Sequence, residues 1–276
     1  MVVAVSTLLV FVPVSVEASP VRYDAYGQVL TQFVEQGQVD YASLKKNRKD
    51  LDHFVSMLGE LSREPYETFN EQEKIAFWLN AYNAITLKVI IDHYPINKKR
   101  SFAGLPFPKK SIRQIRGAWD KIAHPVFGEP VTLDAIEHKI LRQDFNEPRI
   151  HMALVCAARG CPPLRSEPYL GSRLDEQLDD QARQFLASED KFKLNQKERV
   201  LHLSAIFDWF GKDFVERYGT DQIHLPTDPS EKAVLHFIQG YLRPEEAQFV
   251  KNETYNVLYY KYDWTLNDRV PVGKTA

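Results

Sequence analysis

The sequence predicts an α+β fold in which a central buried helix packs on a small, mostly antiparallel sheet, with further helices outside. Three observations carry this expectation. The chain opens on helical patterns and turns to strands only later, without the alternation of βαβ units. One long helical pattern around Asn80 is apolar on nearly every face, and the strand-like runs beyond it are short. The composition suits a folded globular chain: 276 residues, 44% hydrophobic and 26% charged. A net charge of −2 with no long block of either sign gives no footprint for nucleic acid or an anionic membrane.

Residues 1–18 stand apart. Val2 to Val16 are almost all apolar and Val16-Glu17-Ala18 suits signal peptidase, so export to a periplasm or the medium is expected, with residues 19–276 left as one globular domain. No basic residue precedes the apolar run, which leaves retention as an anchor open. No later run reaches the ~18–20 apolar residues that a membrane helix needs. Export also changes the reading of Cys156 and Cys161, the only cysteines. An oxidising compartment allows a disulfide across this C-x4-C spacing, and Gly160 with Pro162-Pro163 supplies the turn.

Along the chain, Tyr23 to Gln36 reads as a helix ended by Gly37, and Leu51, Phe54, Val55, Leu58 and Leu61 repeat at helical spacing. Asn70 with Glu73 predicts an N-cap, and the helix it starts runs to about His93, before Pro95. This is the expected central helix, and it buries Asn80 and Asn83, whose amides must find partners. After a loop from Asn97 to Pro108, Ile122 to Phe127 and Pro130 to Leu133 flank Gly128-Glu129 as a β-hairpin. Thr132 then caps a short helix whose apolar face contains Glu137, with His138 at its edge; a carboxylate there needs a partner. Ile150 to Ala157 reads as a core strand that turns His151 inward, followed by a loop from Arg159 to Pro163 and a helix marked by Leu174, Leu178, Ala182 and Phe185. Strands are expected at Phe192 to Leu194, Val200 to Leu203 and Asn256 to Tyr262, with helices capped by Ser204 (to Tyr218) and Ser230 (to about Leu242).

The segments FWLNAYNA, VTLDAIEHKILR, RIHMALVCAARGCPPLR, LSAIFDWF and YDWTLN together resemble the domain of unknown function 547 family, over roughly Glu71 to Asn267. The resemblance implies that Asn80, Asn83, Glu137, His138, Arg142, His151, Cys156, Cys161, Pro162 and Pro163 occupy the family's motif positions; it implies no activity. The arrangement is also similar, by analogy, to papain-like and transglutaminase-like folds, except that their central helix opens on a nucleophilic cysteine and this one carries Asn80.

Two readings of the chemistry follow. In the first, a hydrolase or acyl transferase, Cys161 attacks, His138 or His151 takes its proton, Glu137 orients the imidazole and Asn80 donates to an oxyanion; Asn83 binds substrate, and Arg142 and Arg159 bind an anionic substrate or neutralise Glu137. In the second, an envelope binding protein, Cys156 and Cys161 form a structural disulfide and the same polar cluster recognises a ligand without reacting. C-x4-C is not the C-x-x-C of redox proteins, and Glu137, His138 and His151 lack H-E-x-x-H spacing, so no metal is expected. With only 12 glycines and no Gly-rich phosphate loop, no nucleotide cofactor is expected either. Tyr255, Tyr259, Tyr260, Tyr262 and Trp264 could suit a carbohydrate, although strand alternation explains them as core. Substrate, partners and oligomeric state are not legible.

Overall fold

The computed structural model describes residues 21–96 and 107–269; the expected leader and most of the loop expected between Asn97 and Pro108 lie outside the described residues. The α+β expectation holds. Its organising element is the central helix α5 (Glu71–His93), preceded by α1 (Asp24–Phe33), the hairpin β1 (Val34–Glu35) and β2 (Gln38–Val39), α2 (Tyr41–Lys46), α3 (Lys49–Glu60) and α4 (Arg63–Glu67). The first helix stops at Phe33, short of Gly37, because Gln36 and Gly37 take positive φ (50° and 77°) and turn the chain into the β1–β2 hairpin.

The capping box that starts α5 forms as its residues predict: Asn70 Oδ1 accepts from Glu73 N and Glu73 Oε2 accepts from Asn70 N, both at 2.9 Å. Every residue from Ile75 to Leu87 is buried. A helix covered on all faces needs neighbours all round, and α2, α3, α7 (Leu174–Leu186) and short helical turns supply them. Each Leu, Ile or Phe buried here contributes about 1.5–3 kcal/mol relative to exposure.

Strand material is divided among three small sheets rather than gathered in one. The expected hairpin is present as β3 (Ala123–Val126) and β4 (Glu129–Thr132), and its turn is tied to α3 by Phe127 N to Leu58 O and Gly128 N to Gly59 O, both 2.9 Å. Strands β5 (Phe192–Asn195) and β6 (Val200–Leu203) pair antiparallel, and β7 (Asn256–Tyr259) joins β6 in parallel. The closing strand ends at Tyr259, which releases Tyr262 and Trp264 from the sheet.

Two expectations are corrected. Ile150 to Ala157 is not a strand: Pro148–Met152 is a 3-10 turn, and an irregular buried segment follows. Its backbone groups are satisfied without a ladder, since Leu154 N donates to Ile150 O (2.9 Å) and Asn83 takes both Ala153 O and Val155 N. The helix expected from Ala205 to Tyr218 breaks into α8 (Ala205–Phe210), a 3-10 turn over Gly211–Phe214 and α9 (Val215–Tyr218). Beyond it come α10 (Pro229–Gln239), capped by Asp228 rather than Ser230, and α11 (Pro244–Asn252), which sequence patterning did not reveal. One apolar cluster surrounds α5 and a second joins Met152, the end of α7, β6, α8 and α10; Tyr262 packs against both.

Candidate functional site

Glu137 and His138 lie in a π-helical segment, Ala135–Leu141, that continues into α6 (Arg142–Asp144). Thr132 caps it as expected, Oγ1 accepting from Ala135 N at 3.1 Å. Wider winding than an α-helix changes which neighbours share a face, and such turns recur at functional sites. Here Glu137 meets α5: Tyr82 donates from its hydroxyl to Glu137 Oε2 at 3.0 Å. Burial, and then the Glu137 charge, push the Tyr82 hydroxyl well above its ordinary pKa, so it remains a donor.

Tyr82 and Glu137 open onto a cleft of about 540 Å³. Its walls are aromatic. Trp209 and Trp264 stand nearly parallel (19°) with centroids 6.1 Å apart, and Tyr262 lies 4.8 Å from the first and 4.6 Å from the second. Trp119 meets Trp264 edge-on at 6.0 Å. Arg113 lies over Trp264 (5.0 Å) and forms no ion pair among the described residues. Carboxylates of Asp120 and Asp134 complete the polar part of the lining.

Cys156 and Cys161 are joined in a disulfide, and both line this cleft. Cys161 Sγ accepts from Cys156 N at 3.0 Å and from the Tyr262 hydroxyl at 3.1 Å. Gly160 is required here, because a Cβ would fall 2.9 Å from the Tyr262 ring. No imidazole is bonded to either sulfur among the described residues.

His151 is buried and lies on Phe210, ring centroids 4.2 Å apart and 15° from parallel. Its Nε2 is 2.8 Å from Asp213 Oδ2. Asp213 also takes both arms of Arg142, Nε at 2.6 Å and Nη2 at 2.9 Å, while Arg142 Nη1 reaches His138 Nδ1 at 2.9 Å. Burial pushes the Asp213 carboxyl up, but hydrogen bonds and charge from His151 and Arg142 outweigh it and hold it well below the usual carboxylate range. Arg142 therefore pairs first with Asp213, to which it is hydrogen-bonded, while Glu137 acts on it through charge alone.

The structure thus gathers Glu137, His138, His151, Cys156 and Cys161 around one cleft. It places the other candidates elsewhere. Asn80 spends its amide on Tyr169, donating to the carbonyl at 2.8 Å and accepting from the N–H at 2.9 Å. Asn83 does the same with Ala153 O (3.0 Å) and Val155 N (2.9 Å). Arg159 is exposed and borders a different cavity, of about 590 Å³. Sequence reasoning missed Trp119, Trp209, Phe210 and Asp213. The last three lie in or just beyond the motif LSAIFDWF, but nothing in their spacing points at Tyr262 or Arg142.

Fold and site define an α+β protein with an aromatic-walled cleft floored by a disulfide. Residues 66–186 match the family described as "Protein of unknown function, DUF547", which supports the assignment of this chain to that family. The match holds Tyr82, Glu137, His138, His151 and both cysteines, whereas Trp209, Phe210, Asp213, Tyr262 and Trp264 lie beyond it. No curated protein and no solved structure matches the chain, so the likeness to papain-like folds gains no support.

Proposed function

We propose that the chain is an exported binding protein whose cleft takes up a ligand with a flat, weakly polar face and peripheral hydroxyl or amide groups, the chemistry of a sugar. The observation that carries this is the Trp209–Tyr262–Trp264 wall: Trp209 is 47% exposed although it sits among other aromatic rings. An apolar surface of this kind, set above a few carboxylates, matches the C–H face and hydroxyl rim of a sugar ring. The disulfide supports a binding role, because a bonded Cys161 has no thiol with which to attack, and together with the apolar leader it supports export. The test is a tryptophan-fluorescence titration of the full chain with chitotetraose and cellotetraose. A saturable change that weakens about tenfold in Trp209→Ala is expected. No saturable response to either sugar at millimolar concentration would remove the sugar reading.

A second reading, hydrolysis or acyl transfer by Cys161, is favoured by one observation. The Cys156 N–H and the Tyr262 O–H both aim at Cys161 Sγ, an arrangement that would stabilise a sulfur anion once the bond is opened. Intact mass after alkylation, with and without prior reduction, decides for protein from its native compartment. A free, rapidly labelled thiol favours the enzyme; a disulfide mass favours the binding protein.

A further inference from the structure

Arg142 ties His138, which lines the cleft, to Asp213, which does not. A guanidinium carries only N–H donors, so its contact with His138 Nδ1 at 2.9 Å is favourable only if Nδ1 presents a lone pair. The guanidinium cannot swing away cheaply, because Nε and Nη2 are both held by Asp213 and its plane lies over Phe210 at 4.9 Å. The second ring nitrogen, Nε2, must then carry the proton. Its nearest acidic neighbour is Asp134 Oδ1 at 3.6 Å, beyond hydrogen-bond distance, and both residues line the cleft.

Accordingly, we infer that Asp213, acting through Arg142, holds His138 with its ring proton on Nε2, so that the cleft offers its ligand one oriented hydrogen-bond donor. The occupant must bring an acceptor oxygen to that point, a carbonyl or a sugar oxygen. His138 is then a donor and not the base that takes a proton from a nucleophile. Asp213 is a positioning residue: it does not line the cleft, and it reaches the His138 ring only through Arg142 while its Oδ2 also holds His151. The donor's use in recognition rests on the binding role proposed above, whereas the placement of the proton does not.

Two measurements separate these. Nitrogen-15 spectra of the histidine-labelled, ligand-free full chain at neutral pH are expected to show His138 protonated at Nε2 and bare at Nδ1. The Nδ1 signal should move in Asp213→Asn and in Arg142→Met, while that of His202, which lies on β6 with its ring against Tyr260, stays. A proton on Nδ1 in the wild type, or a His138 spectrum that neither variant changes, would overturn the inference. In chitotetraose titrations, His138→Gln, whose amide nitrogen falls near the place of Nε2, should bind within about threefold of wild type, and His138→Asn about tenfold more weakly. Asp213→Asn should weaken binding in the wild-type background and add little in His138→Gln. Equal losses in the Gln and Asn variants would also overturn it. If the wild type binds no sugar, the binding role falls and the nitrogen spectra still decide where the proton sits.

Discussion

The amides of α5 and the Asp213–Arg142–His138 chain are both polar clusters beside an apolar core, and they are finished differently. Asn80 and Asn83 are 1% and 2% exposed, and each uses its oxygen and its nitrogen on a single stretch of backbone. They are closed. The chain from Asp213 ends at a ring nitrogen with no acceptor within hydrogen-bond distance among the described residues, at the edge of a cleft. A closed cluster fixes where irregular segments run; an open one leaves bonding capacity for something else. Buried polar residues are therefore poor evidence of a site until their partners are counted.

The sharpest way to break this comparison is to open the closed cluster. Asn80→Leu leaves the Tyr169 N–H and carbonyl buried without their partner, and urea unfolding is expected to show a loss of about 3 kcal/mol. A loss under about 0.5 kcal/mol would mean that the amide is not a structural latch. Next in size is the disulfide. Reducing Cys156–Cys161 frees only a short loop, and the thermal midpoint should fall by an amount equivalent to about 2 kcal/mol.

Asp213→Asn should cost about 1–2 kcal/mol at neutral pH, with a distinctive pH dependence. The folded chain holds this carboxyl below its usual range, so the stabilisation is complete above the unfolded value of about 4 and is lost as the pH falls through the lower folded value. Unfolding curves at descending pH should therefore show wild type and variant converging below about pH 4. A gap that stays constant would place the cost in packing. The smallest effect on stability belongs to Trp209→Ala, within about 0.5 kcal/mol, because the ring is half exposed; its loss should appear in ligand binding instead.

The sequence by itself determined the elements whose signals are local. The Asn70–Glu73 capping box, the apolar run of α5 and the β3–β4 hairpin are each written within a few residues, since caps, periodicity and turn chemistry act over one or two helical turns or a single hairpin. The short spacing of Cys156 and Cys161 made their bridge legible for the same reason. Tertiary structure alone decided what Ile150 to Ala157 became. Its apolar run satisfies a strand and a buried irregular segment equally, and the choice fell to Asn83, some 70 residues earlier, which supplies the hydrogen bonds that a neighbouring strand would have supplied. The same holds for the site. Glu137 was visible as a carboxylate on an apolar face, but its partner Tyr82 lies 55 residues away, and Asp213 lies 71 residues from Arg142. Pairing energies of this kind depend on distance in space and leave no periodic trace in the chain, so only the folded arrangement shows which polar residues are spent and which are left to act.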